Sequence, residues 1–464
     1  MFSHQHFTRE KINTFGLLYT LPGSDPSLKP LMLTAHQDVV PVADASTWTH
    51  PPFDAYFDGT WLWGRGASDD KNSMTSLLSA IESLLAQGWS PKRTVLLAFG
   101  FDEECSGVKG AGSIAAHLKS VWGEDSLAII LDEGGMGLQQ IDDVLYALPA
   151  VTEKGHVDIW LELHVQGGHS SIPFPHTGIG IISEAVVALE SHPYEPVLIK
   201  DSPIYNHYIC QARYSPKAEP EVTRLLEEGD LETLAKELAS QDRPTNFRLQ
   251  TSQAVDYISG GQKINAMPEV VKAGINYRVA PHNSIGEIMH NVVKHLSPIV
   301  ARYGLDIRAF EADDEYKSYK GQQHSLLPGT AKPAYDVDYN GTLTLTSSQK
   351  TLAAPVSPSS GGDAVWDVFA GTIRHAFASP GSTVVPVGEL MTGNTDTRHY
   401  LGLTPNVYRW SPARQGGALN GHTIDERVNM TVHMELVRFY YDFVRNFDAA
   451  DVARRGSRSA EVEL

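Results

Sequence analysis

The chain has 464 residues, 42% of them hydrophobic and 20% charged, with a formal net charge of −18. That length exceeds what one hydrophobic core usually serves, so two domains are expected, in a composition typical of soluble globular proteins. The acidic balance excludes a nucleic-acid surface, which needs a basic footprint. Two cysteines, Cys105 and Cys210, exclude a disulfide scaffold and a CxxC metal site.

No apolar run approaches the ~20 residues of a membrane span. The opening MFSHQHFTREKINTFG has no signal-type apolar core. The chain begins almost directly on a strand, which leaves room for an upstream segment. TFGLLYTLPG and KPLMLTAHQD predict the first two strands. A loop rich in Trp, Pro and Phe follows, and residues 71–88 carry apolar residues at helical spacing up to Gly88. RTVLLAFGFDEE and SLAIILDEGG are apolar runs that end in acids, separated by the helical VKGAGSIAAHLKSVWG. Continuous apolar strands alternating with helices indicate a sheet covered on both faces, hence an α/β domain.

From residue 154 the pattern changes. HVDIWLELHVQG alternates as a half-exposed strand does, and TGIGIISEAVVALESH is helical. A charged, helical insert leads to the strands TSQAVDYISGG and EVVKAGINYRVA. The helix SIGEIMHNVVKHLSPIVARYG and the strand LDIRAFEA follow. That order, β-α-β-β-α-β, is the ferredoxin-like unit. Residues 313–360, rich in Pro, Gly and Ser, are expected to form a linker with one strand, GTLTLTS. The helix DAVWDVFAGTIRHAFA, the strand STVVPVGEL and the helix NMTVHMELVRFYYDFVRNF then return to α/β. The C-terminal AADVARRGSRSAEVEL lacks apolar periodicity and is expected to fray. The simplest organisation is one α/β domain, a mixed sheet with helices on both faces, made from residues 1–153 and 354–464. A ferredoxin-like α+β domain over 154–353 is inserted in it.

Hard metal ligands recur at the ends of the apolar runs: His36-Gln37-Asp38, Asp69-Asp70, Glu103-Glu104 and Asp132-Glu133, with His422 near the end of the chain. In open α/β sheets, sites form beyond the carboxyl ends of the strands, so these groups are expected to converge. Each alone is a weak signal; an HxD or an EE pair is usually surface decoration. Together they crowd acids that repel one another, and a divalent cation resolves that repulsion. Imidazole and carboxylate without thiolate suits Zn²⁺, with Co²⁺ or Mn²⁺ as substitutes.

AHQDVVPV, GRGASDDK, FDEECSG, LDEGG, GGHSS and NGH, in this order, resemble the aminoacylase/carboxypeptidase family of dinuclear zinc metallopeptidases. GRGASDDKNSM with DEGG is most similar to its vacuolar carboxypeptidase S (Gly-X carboxypeptidase) branch. The resemblance implies a zinc-peptidase catalytic domain with an inserted lid or dimerisation domain, and two zinc ions per chain. It implies that His36 binds one metal, oriented by Asp38 through its other ring nitrogen, and that Asp69 bridges both. Glu104 and His422 bind the second, and Glu133 or Asp132 completes the first, since relatives use either acid at this place. Glu103 is implied as the general base, taking a proton from a metal-bridging water and passing it to the leaving amine. His169 in GGHSS is implied to stabilise the oxyanion from a lid or a partner subunit. Asn265 and Arg278 match substrate-binding positions. Arg398 adds a guanidinium suited to clamping a carboxylate in a bidentate fork. Two residues depart from the pattern: Asn72, where many relatives have glycine, and Cys105, expected as a small buried hydrophobe.

The activity implied is a carboxypeptidase acting on short peptides, with a vacuolar lumen as the implied location and a homodimer through the inserted domain as a possible assembly. An aminoacylase, or N-acyl amino acid hydrolase, shares the metals and the attack and differs only in its acyl pocket. A non-catalytic binding protein of this fold is disfavoured by the intact Glu103 and full ligand set.

Overall fold

The computed structural model describes residues 7–322 and 333–455. Residues 323–332 of the expected linker and 456–464 of the expected fraying tail lie outside the described residues. The chain divides into two compact units. One takes Met1–Thr152, Ile199–Gly229 and Pro355–Leu464; the other takes Glu153–Leu198 and Asp230–Ala354.

The first unit is built on an eight-stranded mixed sheet. Its spatial order is Thr8–Ile12, Gly16–Leu21, Val95–Gly100, Leu31–His36, Ile129–Asp132, Val407–Arg409, Ala150–Glu153 and Glu389–Met391. The four strands from Val95–Gly100 to Val407–Arg409 run parallel. Both faces of these strands are covered, which is why the runs are apolar at every position rather than at alternate ones. Leu31, Leu33 and Ala35 pack on one face with Leu77, Ile81 and Phe443. Met32 packs on the other with Ile114 and Leu118. Helix Lys71–Ala86 buries Leu77, Ala80, Ile81 and Leu84, the i, i+3, i+4, i+7 stripe of an amphipathic helix. Each fully buried Leu or Ile contributes about 1.5–3 kcal/mol relative to exposure. Because the central strands are parallel, their carboxyl ends emerge together, and the chemistry-bearing segments follow directly: His36, then Glu103-Glu104 after Gly100, then Asp132-Glu133.

The second unit has a five-stranded sheet in the order Ser252–Gly260, Val270–Val279, Gly155–His164, Thr342–Thr351, Asp306–Ala309. Helices Gly178–Glu190 and Ile285–Tyr303 share one core with it. The β-α-β-β-α-β order is present, with one addition. Thr342–Thr351, expected as a single strand within a linker, inserts between the first strand and Asp306–Ala309. It pairs antiparallel with the first and parallel with the second. Only its Leu343 and Leu345 point firmly into the core, so its sequence carries little apolar pattern.

The charged insert is helical as expected, over Pro220–Glu228 and Leu231–Gln241. Residues 199–229, expected in the inserted domain, pack instead with the first unit. His207 Nδ1 lies 2.5 Å from Glu389 Oε1, both side chains being buried, and Tyr146 donates from its hydroxyl to Ser215 Oγ at 2.9 Å. Helical periodicity specifies a buried face but not which core receives it.

Candidate metal centre

Strand Leu31–His36 delivers His36 to the carboxyl end of the parallel strands with 1% of its surface exposed. Its Nε2 lies 2.9 Å from Asp69 Oδ1 and 3.4 Å from Glu133 Oε1. Its Nδ1 lies 3.1 Å from the carbonyl oxygen of Asp38 and 3.4 Å from Asp38 Oδ1. The same Asp38 carboxylate accepts the backbone amides of Glu103 at 3.2 Å and Glu104 at 3.1 Å. One carboxylate therefore touches the first histidine and fixes the single 3₁₀ turn Glu103–Cys105 that carries the glutamate pair.

Asp69 sits at the centre. Its Oδ1 faces His36, and its Oδ2 lies 3.0 Å from His422 Nε2, which is also 3.1 Å from Glu104 Oε2. Two donor groups result, His36-Asp69-Glu133 and Asp69-Glu104-His422, each tight enough to enclose one metal ion and sharing Asp69. Each combines one imidazole with carboxylates, a donor set of the kind that takes borderline divalent cations. The Glu104 Oε1 atom is buried without a hydrogen-bond partner among the described residues. The donor chemistry, the shared carboxylate and this orphaned oxygen all fit a pair of cations.

The electrostatics say the same. Burial, and next the charge of Glu133, push Glu103 up to about 9. Burial and Glu133 also raise Asp132 and Asp70 far above the usual carboxylate range. Burial and Asp69 raise Glu104. For His36, burial opposes the charged form, but Asp38, Asp69 and Glu133 outweigh it and hold the ring protonated. Asp69 is lowered despite its burial, by His36 and His422. This is a carboxylate crowd whose repulsion bound cations would relieve.

Of the adjacent acids Asp132 and Glu133, only Glu133 joins a donor group. Asp132 is 2% exposed, and its Oδ1 accepts the Glu133 amide at 2.9 Å. Glu103 belongs to neither group; its Oε1 lies 4.0 Å from Arg398 Nη2. His169, Asn265 and Arg278 belong to the second unit. His169 lies on a short ribbon where Gly168–His169 pairs with Ala266–Met267, and the carbonyl of Asn265, just before that second strand, accepts the amide of Ser170 at 3.3 Å. His169 is exposed there, with Nδ1 2.7 Å from Ser171 Oγ. Arg278 stands opposite His156 on the central strands of that sheet. Cys105 is exposed, not buried, because it ends the turn that leaves the sheet; both cysteines are free.

Two residues were not legible in the sequence. Glu426, 1% exposed, accepts from Arg65 Nη1 at 2.7 Å and from the amides of Gly66, Ser68 and Asp69. It thereby holds the loop that presents Asp69. Asp396, 2% exposed, has no hydrogen-bond partner for either carboxylate oxygen among the described residues, and burial pushes it up to about 7. A Cβ at Gly107 would overlap Asp396 Oδ1, which explains the glycine of FDEECSG. The TDTR run placed Arg398 in view but gave no reason to single out its neighbour.

Residues 32–446 match peptidase family M20/M25/M40. The chain belongs to that family. It is 36% identical to carboxypeptidase S of Saccharomyces cerevisiae over 460 residues, covering 96% of this chain and 76% of that protein. It is 31% identical to an N-fatty-acyl-amino acid synthase/hydrolase of Mus musculus over 444 residues, covering 95% and 78%. Among solved structures, a di-peptidase from Saccharomyces cerevisiae superposes with a TM-score of 0.63 at 14% identity, covering 94% of this chain and 83% of that one. A family M20 metallo-carboxypeptidase from Sulfolobus solfataricus gives 0.59 at 16%, covering 95% and 90%. The two structures establish a shared fold. The resemblance to the aminoacylase/carboxypeptidase family drawn from the motifs is borne out, and the chain is a metallopeptidase similar to carboxypeptidase S. No helix among the described residues is long and apolar enough to cross a membrane.

Proposed function

We propose that this member of the M20 family is a carboxypeptidase of short peptides, working at a pair of zinc ions. The observation that carries this reading is Asp69, whose two oxygens face two different histidines, with Glu103 beside the centre and outside both donor groups. His36, Asp69 and Glu133 would hold one cation; Asp69, Glu104 and His422 would hold the other. When bound, such a pair polarises a carbonyl and makes water a competent nucleophile near neutral pH.

The chain's own residues supply the rest. Glu103 takes a proton at its carboxylate from the attacking water and gives it to the departing amine. Asp38 orients the His36 ring and sets the backbone of the glutamate turn. Arg398, whose Nε is buried without a partner among the described residues, offers a guanidinium to a substrate carboxylate. In the second unit, Asn265 and Arg278 bind substrate, and the exposed His169 stabilises the oxyanion, supplied by a second copy of the chain. A vacuolar location follows the similarity to carboxypeptidase S.

A second reading, hydrolysis of N-acyl amino acids, is supported by the 31% identity to the Mus musculus protein. A substrate panel separates the two. A dipeptide with a free C-terminus should be cleaved faster than N-acetyl and long-chain N-acyl amino acids, and amidating that C-terminus should reduce kcat/KM severely. Preference for the acyl substrates would select the second reading, and equal rates on acid and amide would remove the carboxylate clamp.

A further inference from the structure

On the first unit, a cavity of about 360 Å³ lies between residues 52–67, the start of helix Lys71–Ala86 and residues 428–433. Its volume falls in the ~300–1,000 Å³ range of small-molecule sites. None of its lining residues belongs to either metal-donor group. Phe53, Leu62, Trp63, Val428 and Met430 make its wall apolar. Beside it, the hairpin that supplies Leu62 and Trp63 exposes Phe57 at 53%, and the lining residue Phe53, ahead of that hairpin, is 69% exposed.

The charge of the cavity departs from that of the chain. Acids outnumber bases 55 to 37 in the sequence, yet no Asp or Glu lines this space, while Arg65, Lys71 and His433 do. Arg65 is neutralised by Glu426. Lys71 donates its Nζ to the carbonyl of Gln37 at 2.6 Å and has no carboxylate partner among the described residues. Lys71 thus lines an apolar chamber as a cation, with Asn72 and Thr75 beside it on the same helix. An apolar wall with one uncompensated cation at its edge is complementary to an aliphatic chain that ends in a carboxylate.

We propose that this cavity is a second ligand site, separate from the metal centre, that takes a single-chain aliphatic carboxylate with its head on Lys71 and its chain against Leu62, Trp63 and Val428. The ligand also has a route to the reaction. The cavity is walled by Gly64, Gly66 and Ala67, the segment that Glu426 ties to Asp69, so a bound chain braces the loop that presents the shared ligand.

Calorimetric titration of decanoate below its micellar concentration, in the absence of peptide substrate, tests the site directly. The expected result is saturable one-to-one binding to the full chain, whether metal-loaded or chelator-treated. Lys71→Met should weaken it by about tenfold, the size of a lost charge-assisted contact, and decanol should bind the unaltered protein as weakly as decanoate binds that variant. Thr75→Trp, which fills the cavity from an exposed position, should abolish binding while the circular dichroism spectrum and peptide hydrolysis stay unchanged. No saturable heat, equal affinity for decanol and decanoate, or full binding by Thr75→Trp would each overturn the proposal.

Discussion

Glu103 and Glu104 are neighbours in sequence, share one carboxylate as the acceptor of their amides, and are proposed to do different work. Glu104 faces His422 at 3.1 Å, while Glu103 stands outside both donor groups. Glu103→Gln should therefore keep both metals and lose roughly 10²–10⁴-fold in kcat, the usual worth of general acid–base catalysis. Glu104→Gln should lose metal instead, and metal analysis beside single-turnover rates distinguishes them; the opposite pattern would reverse the pair. The metal-free protein should also be sensitive to pH. Glu103 is raised in the fold from 4.5 to about 9, so its protonated form stabilises the fold fully below about 4.5, and that stability is lost as pH rises through about 9. The raised His36 acts in the same direction. Asp38 and Asp69, both lowered, withdraw stability only when pH falls towards and below 3.8. The melting temperature of chelator-treated protein should thus fall between pH 5 and 9, and Glu103→Gln should flatten that slope. A melting temperature that rises with pH across this window would contradict the picture of crowded acids.

At the scale of elements, the loop before helix Lys71–Ala86 depends on Glu426, which closes a buried pair with Arg65 and caps three backbone amides. Glu426→Ala should cost about 3–5 kcal/mol in denaturant unfolding, because it strands a buried guanidinium, and should weaken metal binding through the displaced Asp69. Near-unchanged stability would show that the loop holds its shape without the pair. Glu426 was invisible in the sequence because its partners lie more than 350 residues away and no local pattern marks it. The strands and helices around it were legible for the opposite reason. Leu31–His36 and Val95–Gly100 are continuous apolar runs, and Leu77, Ala80, Ile81 and Leu84 repeat at helical spacing. The strand Thr342–Thr351 and the docking of residues 199–229 on the first unit were less legible, since both are decided by tertiary partners. Among the acids, motif order brought His36, Asp69, Glu104 and His422 together. Asp132 and Glu133 stayed open in the sequence because the direction of two adjacent side chains at a strand end depends on how the backbone turns there; only Glu133 lies with His36 and Asp69 among the described residues.

The molecule as a whole pairs a two-faced α/β unit, which carries every proposed metal ligand, with a ferredoxin-like unit that carries His169, Asn265 and Arg278. If a partner subunit supplies His169, then His169→Ala and Glu103→Ala, each inactive alone, should complement when mixed. A heterodimer has one site with both defects and one with neither, so random pairing should restore up to about a quarter of the original activity by two-fold symmetry. No recovery, in a mixture shown by mass to contain heterodimers, would place His169 within its own chain or outside the reaction. Beneath all of this lies the claim that one carboxylate, Asp69, joins two metal sites. Metal analysis of the purified protein after zinc loading and desalting, set beside Asp69→Asn, tests it most directly. The prediction is about two divalent ions per chain in the unaltered protein, loss of both in the variant, and loss of peptide hydrolysis in step with the metal. One ion per chain, or full activity from a metal-free preparation, would contradict it.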